Sequence, residues 1–140
     1  MYLVDTNVWL ERLLDQTRSD EVKRFLDQVL SDHLFITDFT FHSIGVVMSR
    51  LKRMDALLRF VQDAFIDGAV ALIRLKPEDM QRLVQRAEQY SLDFDDAYQY
   101  VAAEKYNLTI VSFDADFDRT ELGRRTPAEI MKGDKKRARG

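Results

Sequence analysis

Apolar and polar positions along this chain fall into blocks that switch between two periods. Tyr2-Leu3-Val4 is apolar on both faces and runs into Asp5-Thr6-Asn7, the pattern of a buried strand that stops at a polar tip. Trp9, Leu10, Leu13 and Leu14 then mark a short helix. Within residues 19–30, Val22, Phe25, Leu26, Val29 and Leu30 recur at helical spacing, and Leu34-Phe35-Ile36-Thr37 reads as a second strand. Phe41, Ile44, Met48, Leu51, Met54, Leu58, Val61 and Phe65 recur at three and four, which predicts one long helix over about 41–66 with Thr40 as its N-cap. Residues 69–75 form a third apolar strand. Pro77 suits the first position of another helix, whose inner face is Met80, Leu83, Val84 and Ala87. A helix over about 93–106 leads to a strand over 108–112, and Thr126-Pro127-Ala128-Glu129 is a capping box before a short last helix.

Strands alternating with helices imply right-handed crossovers, so the expected fold class is α/β, with a parallel central sheet flanked by helices. The 140 residues are one domain's worth, expected over 1–131. Residues 132–140 carry five Lys or Arg against one Asp and are expected to be a disordered basic tail; the remainder has a net charge of −7. Cysteine is absent and histidine occurs only at His33 and His42, so a disulfide framework and a Cys/His zinc site are excluded. Any metal must be held by oxygen. No apolar run is long enough to span a bilayer, and the first residues do not resemble a secretory leader, so a cytoplasmic location without a membrane partner is expected.

In parallel sheets, ligands bind beyond the carboxyl ends of the strands. Asp5 ends the first strand, Asp114 and Asp116 follow the last, and Asp93, Asp95 and Asp96 open the helix before it. One such acid alone is best explained as a helix cap. Several converging from distant segments repel one another and need a cation, and hard oxygen ligands select Mg²⁺ or Mn²⁺. Such ions polarise phosphate oxygens and activate water, which points to a phosphodiester nuclease. The five glycines, at 45, 68, 123, 133 and 140, are scattered, so neither a phosphate loop nor a dinucleotide fingerprint is present.

Val4-Asp5-Thr6-Asn7-Val8, Asp95-Asp96-Ala97 and Val111-Ser112-Phe113-Asp114-Ala115-Asp116-Phe117 together resemble the PIN domain family, and most closely its stand-alone toxins of the VapC kind. The resemblance implies a three-layer sandwich with a central acid cluster that binds Mg²⁺ or Mn²⁺ and cleaves RNA. Carried over by position, the catalytic acids are Asp5, Asp96, Asp114 and Asp116, the metal ligands are Asp5, Asp96 and Asp114, and Thr6, Asn7 and Ser112 support them. An inhibitory antitoxin and a homodimer are the implied protein partners, and the apolar cluster at Trp9 to Leu14 is a candidate face for either.

One departure stands out. The family's second acid, a glutamate in the first turn after the second strand, is replaced by Ser43. Asp38, just past that strand, is a candidate to supply the missing charge, or else it begins a turn. His42 is a candidate for phosphate contact or proton transfer, or else a surface residue. The alternative function is therefore a PIN-like module, weakened in catalysis, that binds RNA or a protein. A phosphatase of the haloacid dehalogenase kind, suggested by Asp5-Thr6-Asn7-Val8, ranks last because Asn7 stands where its acid is needed. Arg12, Arg18, Lys23, Arg24, Arg50, Lys52, Arg53, Arg59, Arg119, Arg124 and Arg125 are the candidate sources of positive charge for RNA.

Overall fold

The computed structural model describes residues 1–139, with side chains through residue 133. Four short strands, β1 (Tyr2–Val4), β2 (Leu34–Thr37), β3 (Ala71–Ile73) and β4 (Thr109–Val111), pair in the order β3-β2-β1-β4. Every pairing is parallel, with Leu3 opposite Phe35 on one side and Ile110 on the other. The helices α1 (Thr6–Leu13), α2 (Ser19–Gln28), α3 (Asp38–Arg50), α4 (Met54–Val61), α5 (Met80–Tyr90), α6 (Phe94–Tyr106) and α7 (Pro127–Arg139) cover the two faces.

Alternation along the central strands decides which layer each side chain joins. Val4 and Val111 point to one face, where they meet Val8, Phe25, Ile44, Phe60 and Ile130 from α1, α2, α3, α4 and α7. Leu3 and Ile110 point to the other and meet Leu83 of α5 together with Tyr100 and Val101 of α6. The result is helix, sheet, helix. Trp9 is buried against the Phe60 ring of α4, centroids 5.3 Å apart, and its indole Nε1 donates to the Val4 carbonyl at 3.1 Å.

The single long helix over about 41–66 does not form. Helix α3 stops at Arg50, because Lys52 adopts a left-handed φ of 56° and the Lys52 and Arg53 amides fold back onto the carbonyls of Ser49 and Met48 at 3.1 and 2.8 Å. This double return is a Schellman ending with lysine where glycine is usual, so no composition signal marks it. A π-helical turn over Gln62–Ile66 follows α4. The cap of α3 is also Thr37 rather than Thr40: the Thr37 hydroxyl accepts from the Thr40 amide at 3.0 Å, and Thr40 turns its own hydroxyl into the interior.

At the other end of the chain the expected capping box is present, with Glu129 N–H donating to the Thr126 hydroxyl and Thr126 N–H to the Glu129 carboxylate. The α7 backbone continues through Arg139; of the basic stretch 132–140 expected to be a tail, the side chains from residue 134 onward, and Gly140 itself, lie outside the described residues. Among the described residues, no helix is long and apolar enough to cross a membrane.

Candidate metal centre

The strand order reverses at β1, which feeds β2 on one side and receives β4 on the other, so the carboxyl ends of β1 and β4 open a crevice at the switch point. Asp5 sits at that end of β1 and caps α1. Its carboxylate is 6% exposed and accepts from four donors. Oδ1 takes the Thr6 amide at 2.8 Å and the Gln99 amide nitrogen at 2.9 Å, while Oδ2 takes the Ser112 hydroxyl at 2.8 Å and Asn7 Nδ2 at 3.5 Å. Burial pushes the Asp5 pKa up, and the hydrogen bonds from Gln99, Ser112 and Thr6 partly offset that rise.

Ser112 links the two strand ends. Its hydroxyl donates to Asp5 and accepts from the Asp114 amide at 2.9 Å. Asn7 ties the same loop from the other side, its carbonyl oxygen accepting from the Phe113 amide at 3.2 Å. Asp114 opens the turn that follows, where its Oδ1 accepts from the Asp116 amide at 2.9 Å. Across the crevice, Asp93 caps α6 by accepting from the Asp96 amide, which leaves the Asp96 carboxylate free in the first turn. One carboxylate oxygen from each of Asp96, Asp114 and Asp116 lies within 4.8 Å of the others.

The Asp96 pKa is pushed up to about 7, first by burial and then by the negative charges of Asp114, Asp93, Asp5 and Asp116. Like charges held this close call for a counterion. The donor set is oxygen only, from carboxylates on two rigid element ends, which fits Mg²⁺ or Mn²⁺ and not a soft metal. Since the folded state raises the Asp96 pKa from 3.8, it holds that proton more tightly than the unfolded chain does. The Asp96 contribution to stability in chelator is therefore fully present below about pH 4 and is lost as pH rises to about 7. Thermal melts in chelator are expected to fall over that window, and Mn²⁺ is expected to raise the melting temperature more at pH 7.5 than at pH 5. Equal metal-induced shifts at both pH values would contradict this.

The sequence-predicted residues divide clearly. Asp5, Thr6, Asn7, Ser43, Asp96 and Asp114 line one cleft of about 270 Å³, together with Asp95, Phe39, Leu10 and Gln99. Ser43 thus faces the acids without adding a charge. Asp38 is turned elsewhere: it is exposed, and its Oδ1 accepts from the Phe39 amide and from the Tyr98 hydroxyl, each at 2.8 Å. His42 is exposed and lines a separate groove with Phe41, Gly45, Ser49 and Met54. Sequence reading missed Gln99, a fully buried polar side chain inside the apolar run Ala97–Ala103. That interruption was its only signal.

Four arginines stand near the β4 end, and Arg125 pairs its backbone with β4 there, its N–H donating to the Ile110 carbonyl at 2.9 Å. Arg119 pairs with Asp116 at 3.1 Å, and Arg124 pairs with Asp118 at 3.1 Å while donating to the Ser112 carbonyl. Arg18 makes no ion pair among the described residues, and its guanidinium stacks over the Phe113 ring at 4.6 Å.

Fold and cleft together define a class of protein, the parallel α/β domain whose acids gather, with oxygen ligands alone, at the switch in strand order. This chain belongs to the PIN domain family, a family of nucleases, whose model matches residues 2–122. No curated protein matches it. Among solved structures it is similar to a toxin-antitoxin complex from Klebsiella pneumoniae, with a TM-score of 0.73 and 22% identity over 92% of this chain and 99% of that one. It is also similar to FitAcB from Neisseria gonorrhoeae, with a TM-score of 0.71 and 19% identity over 91% and 98% of the two chains. VapC20 from Mycobacterium tuberculosis, a toxin that cleaves the sarcin-ricin loop, matches with a TM-score of 0.69 and 14% identity over 84% and 93%. At these identities the likeness is one of fold.

Proposed function

We propose that this chain is a divalent-metal-dependent endoribonuclease that cleaves RNA phosphodiester bonds at the aspartate cleft. The observation that carries the reading is the convergence of Asp96, Asp114 and Asp116 beside buried Asp5, in a member of a nuclease family. Asp96, Asp114 and Asp5 would hold Mg²⁺ or Mn²⁺, with Asp116 assisting. When bound, such an ion supplies Lewis acidity toward phosphate oxygens and lowers the pKa of water. The chain's own residues orient and exclude. Ser112 spends its hydroxyl proton on Asp5, so it acts as a brace and not as a nucleophile. Thr6 ties α1 to α3 through the Thr40 hydroxyl, and Asn7 ties α1 to the β4 loop through Ser112 and Phe113. Asp38 and His42 have no part in this mechanism, since each faces away from the cleft.

RNA approaching an acidic cleft needs cations beside it. Arg18 is best placed, because Phe113, on which it stacks, lies between Ser112 and Asp114. Arg18→Ala is expected to weaken RNA binding and to reduce the salt dependence by about 0.7 in log–log slope, the share of one single-strand phosphate. Fluorescence anisotropy across a salt series in chelator measures this; an unchanged slope removes Arg18 from the interface.

As a toxin of a toxin-antitoxin pair, the chain would work in the cytoplasm, as a homodimer held by an antitoxin. The likeness to structures of such complexes supports this. So does a groove of about 590 Å³ whose apolar floor includes Trp9, Leu13, Leu26 and Phe60 and whose rim is mixed in charge, with Arg12, Lys23, Arg53 and Arg59 beside Asp27 and Asp63. A second reading, a PIN-like module that binds RNA or a protein with weakened catalysis, is favoured by Ser43 alone. Incubating a mixed RNA pool with the purified protein in Mn²⁺, Mg²⁺ or chelator separates the two. Metal-dependent cleavage supports the nuclease, and intact RNA in every lane, with RNA retained by the protein, supports the binding module.

A further inference from the structure

Asp5 is the deepest of the acids, and what aims it is a side chain 94 positions away. Gln99 of α6 is 1% exposed, and all its polar contacts are inside the protein. Its Nε2 donates to Asp5 Oδ1 and to the Thr40 hydroxyl, both at 2.9 Å, and its Oε1 accepts from the Thr37 hydroxyl at 2.7 Å. A glutamine amide can be turned either way, so its orientation depends on its partners.

Here the partners leave one choice. The Thr37 hydroxyl oxygen is occupied as the N-cap of α3, accepting from the Thr40 amide. The ionised Asp5 carboxylate can only accept, so Gln99 turns its NH₂ group to Asp5 and its Oε1 receives the single Thr37 hydroxyl proton. The NH₂ group then faces Asp5 and Thr40. A helix cap at the end of β2 is thus wired through one amide to the carboxylate at the end of β1. Flipping the amide would set a carbonyl oxygen against the Asp5 carboxylate and take the acceptor away from the Thr37 proton, a buried mismatch.

We propose that Gln99 is a positioning residue for the metal centre: its amide, oriented by the Thr37 cap, holds the Asp5 carboxylate in the direction that completes the site formed by Asp96, Asp114 and Asp116. This rests on the metal-nuclease reading above and deepens it. Groups that orient metal ligands commonly control affinity by ten- to a hundredfold. Gln99→Met keeps the length and removes every hydrogen bond. Thr37→Val removes the proton that orients the amide, and Thr37→Ser keeps it.

The test measures Mn²⁺ affinity of each purified variant by calorimetry, well below its melting transition, beside a thermal melt. Gln99→Met is expected to bind Mn²⁺ about ten- to a hundredfold more weakly while folded. Thr37→Val is expected to share the defect, and Thr37→Ser to stay within about twofold of wild type. If Gln99→Met fails to fold, the Thr37 pair decides the matter by the same readout. A lowered melting temperature with unchanged Mn²⁺ affinity would show a purely structural role and overturn the proposal. A wild type that binds Mn²⁺ without cutting RNA would overturn the nuclease reading alone, and a wild type that binds no Mn²⁺ would overturn both.

Discussion

Asp96→Asn is expected to lower metal-dependent RNA cleavage by at least about a hundredfold while raising the melting temperature in chelator at neutral pH. The two effects have one cause. Asp96 faces Asp114, Asp93, Asp5 and Asp116, and their charges, added to its burial, lift its pKa to about 7. An ionised carboxylate there costs the empty site stability and, in the proposed mechanism, would serve the loaded site as a ligand. Removing the charge relieves the first and forfeits the second. Asp5→Asn is expected to lose activity too, but with the opposite stability effect, because Asp5 accepts from four donors and an amide can accept for only one of its two heads. Paired cleavage assays and melts check both variants. An Asp96→Asn protein with wild-type cleavage would remove this acid from the mechanism.

Ser43→Glu is expected to tighten Mn²⁺ binding by at least about tenfold and to raise cleavage at limiting metal, since affinity of an oxygen site follows its charged ligand count. Ser43 already lines the cleft with Asp5, Asp96 and Asp114, and the cleft has room for a longer side chain. In chelator the same substitution is expected to lower the melting temperature at pH 7.5, because one more like charge joins the cluster. Calorimetry with Mn²⁺ and melts with and without chelator measure the pair. Unchanged metal affinity would show that the site is complete with its present acids.

The features legible in the sequence are local ones. β1 and β4 each end an apolar run at an aspartate-bearing tip, and α6 opens with Asp93, so the strand ends and helix start that build the cleft could be read from neighbours a few residues apart. What stayed hidden depends on distant partners. The end of α3 turns on Lys52 adopting a left-handed conformation, which nothing in its residue type announces. The choice of Thr37 over Thr40 as cap depends on Thr40 being drawn inward by Gln99, 59 positions away. Asp38 looks suited to replace the missing glutamate until the Tyr98 hydroxyl, 60 positions later, takes its carboxylate. His42 shares a helical turn with Ser43, yet one step along a helix is about 100° of rotation, and that puts it on another face.

These contrasts also separate the two kinds of polar residue in the cleft. The carboxylate oxygens of Asp96, Asp114 and Asp116 cluster from two separate segments, the start of α6 and the turn after β4, whereas Ser112, Asn7 and Gln99 make their hydrogen bonds to Asp5 and to the backbone and threonines around it.

The most direct test of the central claim, that these acids hold a divalent ion, is to soak crystals of the protein in Mn²⁺ and record anomalous diffraction at the manganese edge. The account predicts a strong peak in direct coordination with carboxylate oxygens of Asp96 and Asp114, on the side facing Asp5 and Asp116. A cleft with no peak at saturating Mn²⁺, or a peak held at Asp38 beside Tyr98 instead, would contradict it.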